Sequence, residues 1–169
     1  GDGQALVFIH GFNVAFDEAL RRTGQLAYDL NFDGAPILYS WPSGDKFRAY
    51  VSDANNAEWT RPHLVAFLKS LAACAGVRTI HLVAHSMGNR ALLNALDRLV
   101  ADDHQARFAQ TILTAPDVDV EVFKELVTRC RTLATRVTLY ASKTDTALKA
   151  SRRINKYPRA GDAGNGLVV

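Results

Sequence analysis

The sequence predicts an α/β domain in which a central parallel sheet of at least five strands carries helices on both faces. Two observations predict it. Five short runs, "ALVFIH" (5–10), "PILYSW" (36–41), "TIHLVA" (79–84), "QTILTA" (110–115) and "RVTLYA" (136–141), are nearly continuous in apolar residues, as strands buried on both faces are. Between them lie stretches whose apolar residues recur three and four apart, so that strand and helix alternate along the chain.

The helical stretches follow in order. Phe16 to Leu30 carries Leu20, Gly24, Ala27 and Tyr28 on one expected face, and His63 to Ala75 carries Leu64, Phe67, Leu68 and Leu71. Gly88 to Val100 carries Leu92, Ala95, Leu96 and Leu99, and Val118 to Cys130 carries Val122, Phe123, Leu126, Val127 and Cys130. The Gly-rich "AGDAGNG" at 160–166 reads as a surface turn.

A chain of 169 residues with 48% hydrophobic and 22% charged residues suits one domain over 1–169 that buries its own core. The net charge of +3 comes with no basic block interleaved with aromatics, which argues against a nucleic-acid partner. Nine Lys and Arg residues from Arg129 to Arg159, set against Asp145 and Asp162, read as a solvated face. Cys74 and Cys130 each fall on the apolar side of a helical pattern and read as buried free thiols, not as a disulfide framework or a metal site. No apolar run approaches the roughly 18 residues of a membrane span, and no signal peptide opens the chain. The start at "GDGQALVF", without Met, leaves both cytoplasm and periplasm open.

In parallel α/β sheets the working residues gather where loops leave the carboxyl ends of strands. Here those loops read "HGFN", "SWPSGD", "HSMGN", "APDVD" and "SKTD". The third is the most informative. A nucleophilic serine on a tight strand-to-helix elbow needs small residues two before and two after it, and Ala84 and Gly88 flank Ser86 in this way. Ser86 is thus the candidate nucleophile, against the plainer reading of a structural turn. An oxyanion formed there would need backbone donors, which the N–H groups of Met87 and Phe12 could supply, with Gly11 allowing close approach.

Two carboxylates compete for the acid that orients a catalytic histidine. Asp145 follows the fifth strand and is preferred; Asp117 follows the fourth, where it could instead cap the helix expected near Val118. The aromatics Phe12, Phe16, Trp41 and Phe47, in the loops after the first two strands, are expected to line an acyl pocket or else to cover the sheet edge.

Taken as a set and in this order, "VFIHGFN", "SWPS", "AHSMGNR", "APDVD" and "TLYASKTDTAL" resemble the bacterial α/β-hydrolase family of unknown function, related by fold to lipases and esterases. The resemblance runs from Ala5 to about Asp162. It implies an α/β-hydrolase-like sheet, Ser86 as nucleophile and Asp145 as acid, and it implies no particular substrate; no cofactor is expected.

One part of the triad is missing from the pattern. The order in this fold is Ser, acid, His, yet none of His10, His63, His81, His85 and His104 follows Asp145. His10 lies in the loop that shapes the oxyanion site and reads as a structural hydrogen-bonding residue; the other four read as structural or surface. The sequence therefore predicts a serine esterase acting on a small or lipid-like acyl ester whose last strand and histidine lie beyond Val169. The alternative is an inactive binding module on the same fold. A phosphate-binding doubly wound domain is a third reading, weakened by the lack of a Gly-rich loop after the first strand.

Overall fold

The computed structural model describes residues 3–44, 50–142, 148, 151 and 157–163. Strands β1 (Gln4–Ile9), β2 (Ala35–Tyr39), β3 (Thr79–His85), β4 (Phe108–Thr114) and β5 (Ala134–Tyr140) form one sheet in the order β2-β1-β3-β4-β5, every neighbouring pair parallel. Each of the five apolar runs falls on one of them. The chain winds from β1 outward to β2, then returns past β1 to β3 and winds the other way. The switch point therefore lies between β1 and β3, where parallel sheets open a crevice at their carboxyl ends. Register places Ile9 opposite Ala84, so the exits of β1 and β3 stand side by side.

The helices are α1 (Phe16–Asp29), α2 (Tyr50–Trp59), α3 (Arg61–Ala72), α4 (Gly88–Ala101) and α5 (Val120–Cys130). Strand alternation divides the sheet's side chains between two cores. Val7, Ile9, Leu82 and Ala84 face the larger one with Leu64 and Leu68 of α3, Leu92, Leu96 and Leu99 of α4, and Phe123 and Leu126 of α5. Leu6, Phe8 and Val83 face the other, where Leu26 of α1 and Phe32 pack. Helices thus lie on both faces, as expected.

Four expectations need correction. On α1 the inward face is Ala19 and Thr23, while Leu20 and Tyr28 are 52% and 83% exposed. Small residues let the helix approach the sheet closely, and the Thr23 hydroxyl satisfies itself on the Ala19 carbonyl at 2.8 Å. Cys74 is exposed because α3 ends at Ala72, two residues short of it, whereas Cys130 is buried; both thiols are free. Of the stretch 160–166, read as a surface turn, residues 164–166 lie outside the described residues and 160–163 are buried: they cross the exits of β4 and β5, with Ala160 N–H on Val118, Gly161 N–H on Pro116 and Ser142 N–H on the Gly161 carbonyl. Arg159, counted with a solvated basic face, is 3% exposed.

Helix α2 has no counterpart in the sequence reading. Its inward residues are Tyr50, Asp53 and Ala57, so a carboxylate interrupts the apolar pattern. That carboxylate is buried because it accepts the Gly44 N–H at 2.9 Å and the Ser43 hydroxyl at 3.0 Å, fastening the loop that leaves β2. Among the described residues no helix is long and apolar enough to cross a membrane, and no cluster of His, Cys, Asp and Glu could hold a metal ion.

Candidate active site

Ser86 stands between β3 and α4 with φ of +51°, in the left-handed region that side-chain-bearing residues seldom adopt. Such strain persists only where the surroundings over-determine it. The Ser86 N–H donates to the Thr114 carbonyl at 3.0 Å, and the Ser86 carbonyl accepts the N–H groups of Asn89 at 3.1 Å and Asp117 at 3.2 Å. The half-buried Ser86 hydroxyl has no hydrogen-bond partner among the described residues.

Both glycines at the elbow are set by backbone contact. A Cβ on Gly88 would lie 2.4 Å from the His10 carbonyl oxygen and 2.8 Å from that of Ile9, so α4 begins directly against the exit of β1. A Cβ on Gly11 would lie 3.0 Å from the Ser86 Cβ. The loop after β1 is thereby pressed against the elbow. The Met87 N–H finds no acceptor among the described residues, and Phe12 is half-buried with its ring edge-on to Tyr50 at 5.5 Å.

His10 shapes this loop from beneath. It is 1% exposed, stacks on Trp41 at 5.3 Å, and its Nε2 accepts the Trp41 N–H at 3.2 Å. Its proton therefore sits on Nδ1, which donates to the Gly11 carbonyl at 2.8 Å. Burial lowers its pKa below the ordinary histidine value, and the neutral ring has both nitrogens engaged. Trp41 in turn donates its Nε1–H to the His10 carbonyl at 2.8 Å and is buried, while Phe16, first residue of α1, is 63% exposed.

Three of the other histidines have partners elsewhere. His63 packs on Trp59, His81 bonds Gln4, and His104 Nδ1 accepts the Ala106 N–H. His85 is the last residue of β3, and no hydrogen bond joins it to Ser86 among the described residues.

Asp117 does not cap α5. Asp119 does so, accepting the N–H groups of Glu121 and Val122, because the helix begins at Val120, two residues later than the pattern suggested. Asp117 instead sits 2% exposed beside the elbow, in a buried polar network. The Tyr50 hydroxyl donates to its Oδ2 at 2.8 Å and the Ser151 hydroxyl to its Oδ1. Arg159 Nε stands 3.2 Å from Oδ1, a contact of charges and not an aligned hydrogen bond. Arg90 Nε donates to the Asp117 carbonyl at 2.8 Å. Burial, and then the Asp117 charge, push the Tyr50 pKa up; burial pulls the Arg159 pKa down.

Asp117 was foreseen as the alternative acid, but its partners were not. Asn89 and Arg90 belong to "AHSMGNR", yet nothing local marks their partners, and Tyr50, Ser151 and Arg159 reach Asp117 only through the fold. Asp145 and Phe47 lie outside the described residues. A shallow hollow lined by Tyr28, Asn31, Phe32, Gly34 and Pro36 lies at the amino ends of the strands, opposite the elbow, where parallel sheets do not place their chemistry.

Residues 1–163 match a family described as alpha/beta hydrolase of unknown function (DUF900). The chain belongs to that family. No curated protein matches it. Membership in this α/β-hydrolase family decides against the phosphate-binding doubly wound domain, whose strand order is the same but which has no use for a serine elbow.

Proposed function

We propose that the protein is a serine hydrolase that cleaves small or lipid-like acyl esters. Ser86 Oγ attacks the acyl carbon, and a histidine supplied from outside residues 1–169 takes its proton and then returns it to the departing alcohol. Asp145 orients that histidine. The N–H groups of Met87 and Phe12 stabilise the oxyanion, and water releases the acid from the acyl-enzyme by the same steps. Phe16 and Phe47 flank the acyl chain, while Trp41, buried against His10, supports the loop beneath it. No metal or cofactor enters the cycle.

The observation that carries this reading is the left-handed Ser86 held against Gly11 at the switch point of the sheet. Left-handed backbone alone does not mark chemistry, since Ala115 adopts it at φ +44°; what favours a chemical task at Ser86 is that conformation at the carboxyl end of β3, beside the Gly11 backbone. Asp117 is the weaker candidate for the acid, because both of its carboxylate oxygens are already engaged by Tyr50, Ser151 and Arg159.

The test is fluorophosphonate labelling and short-chain aryl ester hydrolysis by the protein expressed from its full native reading frame. Labelling should fall to background in Ser86→Ala. Equal labelling of the two would defeat the proposal. A second reading, a binding module without turnover, is favoured by one observation: among the described residues no hydrogen bond joins Ser86 to a histidine. It would be upheld by absent labelling together with no histidine after Asp145, and sunk by a labelled Ser86.

A further inference from the structure

We propose that Asn89 is the positioning residue of the elbow: its side-chain amide pins the Ser86 carbonyl to the end of β4 and so holds the nucleophile in its strained conformation. The inference rests on the reading of Ser86 as nucleophile. Asn89 is wholly buried in the first turn of α4, a place where a polar side chain needs a reason. Its Nδ2 donates to the Ser86 carbonyl at 2.9 Å and to the Thr114 carbonyl at 3.1 Å. Both neighbours are acceptors, so only the NH2 end of the amide fits there; turned over, its oxygen would face two carbonyl oxygens.

The same Thr114 carbonyl takes the Ser86 N–H, and the Thr114 hydroxyl donates to the Ala84 carbonyl at 2.9 Å. Asn89 thus closes a ring of hydrogen bonds around one peptide unit: β3 before the serine, α4 after it, and β4 beside it. The backbone N–H groups of Asn89 and Asp117 also reach the Ser86 carbonyl, but every helix start offers the first of these. The backbone already ties Ser86 to β4 through its own N–H on Thr114 and through the Asp117 N–H, and the Asn89 side chain adds the bridge that joins the Ser86 and Thr114 carbonyls to one donor. Without that bridge the Ser86 peptide is held less firmly in its left-handed conformation, and relaxation toward ordinary φ values carries Oγ out of line with the Met87 and Phe12 donors. A displacement of about 1 Å at a reacting atom costs about a hundredfold in rate.

The test compares Asn89→Thr with Asn89→Val in the full native reading frame. The two side chains have the same shape, but only Thr offers a hydroxyl to the carbonyl three residues earlier, that of Ser86. Two readouts are used: the limiting rate and half-saturating concentration of fluorophosphonate labelling, and the Ser86 φ in a crystal structure of each variant. The expected result is a limiting rate about tenfold or more lower in Val than in Thr, with the half-saturating concentration unchanged, similar melting temperatures, and a Ser86 φ that leaves the left-handed region only in Val. Equal rates and an unmoved φ in both variants would overturn the proposal. If the parent itself takes no label, the hydrolase reading falls, and the Ser86 φ in the two crystal structures still decides for or against the pin.

Discussion

The backbone at Gly11 approaches Ser86 so closely that a Cβ there would stand 3.0 Å from the Ser86 Cβ, and 3.0 Å from His85 Nδ1. The third neighbour is the His85 carbonyl oxygen at 3.1 Å, and Ser86 Cβ is fixed to its own backbone, so the Gly11 loop itself must give by a few tenths of an ångström. Gly11→Ala should therefore fold, with a loss of about 1 kcal/mol for slight overpacking, while shifting the loop that carries the Phe12 N–H. Removing one oxyanion donor typically costs a hundredfold or more in kcat, so partial displacement should slow labelling by about tenfold. Gly88→Ala differs because its new Cβ would meet the His10 carbonyl at 2.4 Å, backbone against backbone. It should lose about 3 kcal/mol or fail to fold. Thermal unfolding and labelling of the two variants check this ranking, and a Gly88→Ala protein as stable as the parent would contradict it.

The strands and the elbow were legible in the sequence because each is a local pattern: a run of apolar residues, or a small residue at a fixed distance from a serine. Ala84 and Gly88 announce the turn, and the sheet then confers its meaning by setting Ile9 beside Ala84. What was not legible depends on partners far along the chain. Asp53 hides α2 from a periodicity reading, because its burial is explained only by the Gly44 N–H it accepts. Asp117 looked like a helix cap because caps are what an Asp before a helix usually provides; its real partners are 67 and 34 residues away in sequence. Arg159 looked like one more surface cation, and only the crossing of 157–163 over the sheet buries it.

The buried His10 makes stability depend on pH. Its pKa is lowered in the folded chain by burial, so the unfolded chain binds the proton more readily. Stability from this site is present above the unfolded value near 6.5 and is lost as pH falls below it toward the folded value. Protonation also gives Nε2 a hydrogen where it now accepts the Trp41 N–H. Urea unfolding at pH 7.5 and pH 5.5 should show the parent losing stability on acidification. His10→Gln should be less stable at pH 7.5, with a smaller loss between the two values. His81, also lowered by burial, keeps its contribution in both proteins. An equal loss in both would exclude His10 as the source.

The two cysteines should react differently. Cys74 is exposed, whereas Cys130 is buried with its thiol pushed up to about 12, burial being the larger cause and the Asp97 charge the next. The thiolate is the reacting form, so iodoacetamide at pH 8 should modify the native protein at Cys74 alone. In guanidinium both should react. Rapid native modification of Cys130, read by peptide mass, would contradict the burial of α5 against α4.

Two aspartates can be separated by what their loss does to stability and to turnover. Asp117 is buried with Arg159, and removing one partner of a buried ion pair leaves the other charge uncompensated, at about 3–5 kcal/mol. Asp117→Asn keeps an acceptor for Tyr50 but strands the Arg159 charge. In a chain of this size that loss should lower the melting temperature by about 10 °C. Asp145, if it orients the catalytic histidine, should behave in the opposite way. Asp145→Asn removes the charge that selects the productive tautomer, and turnover should fall by about four orders of magnitude while the melting temperature stays near that of the parent. Differential scanning fluorimetry and ester hydrolysis on the full native reading frame give both numbers for both variants. Loss of turnover without loss of stability at Asp117 would make it the acid, and would require the Tyr50 and Ser151 hydroxyls to yield one carboxylate oxygen to the histidine.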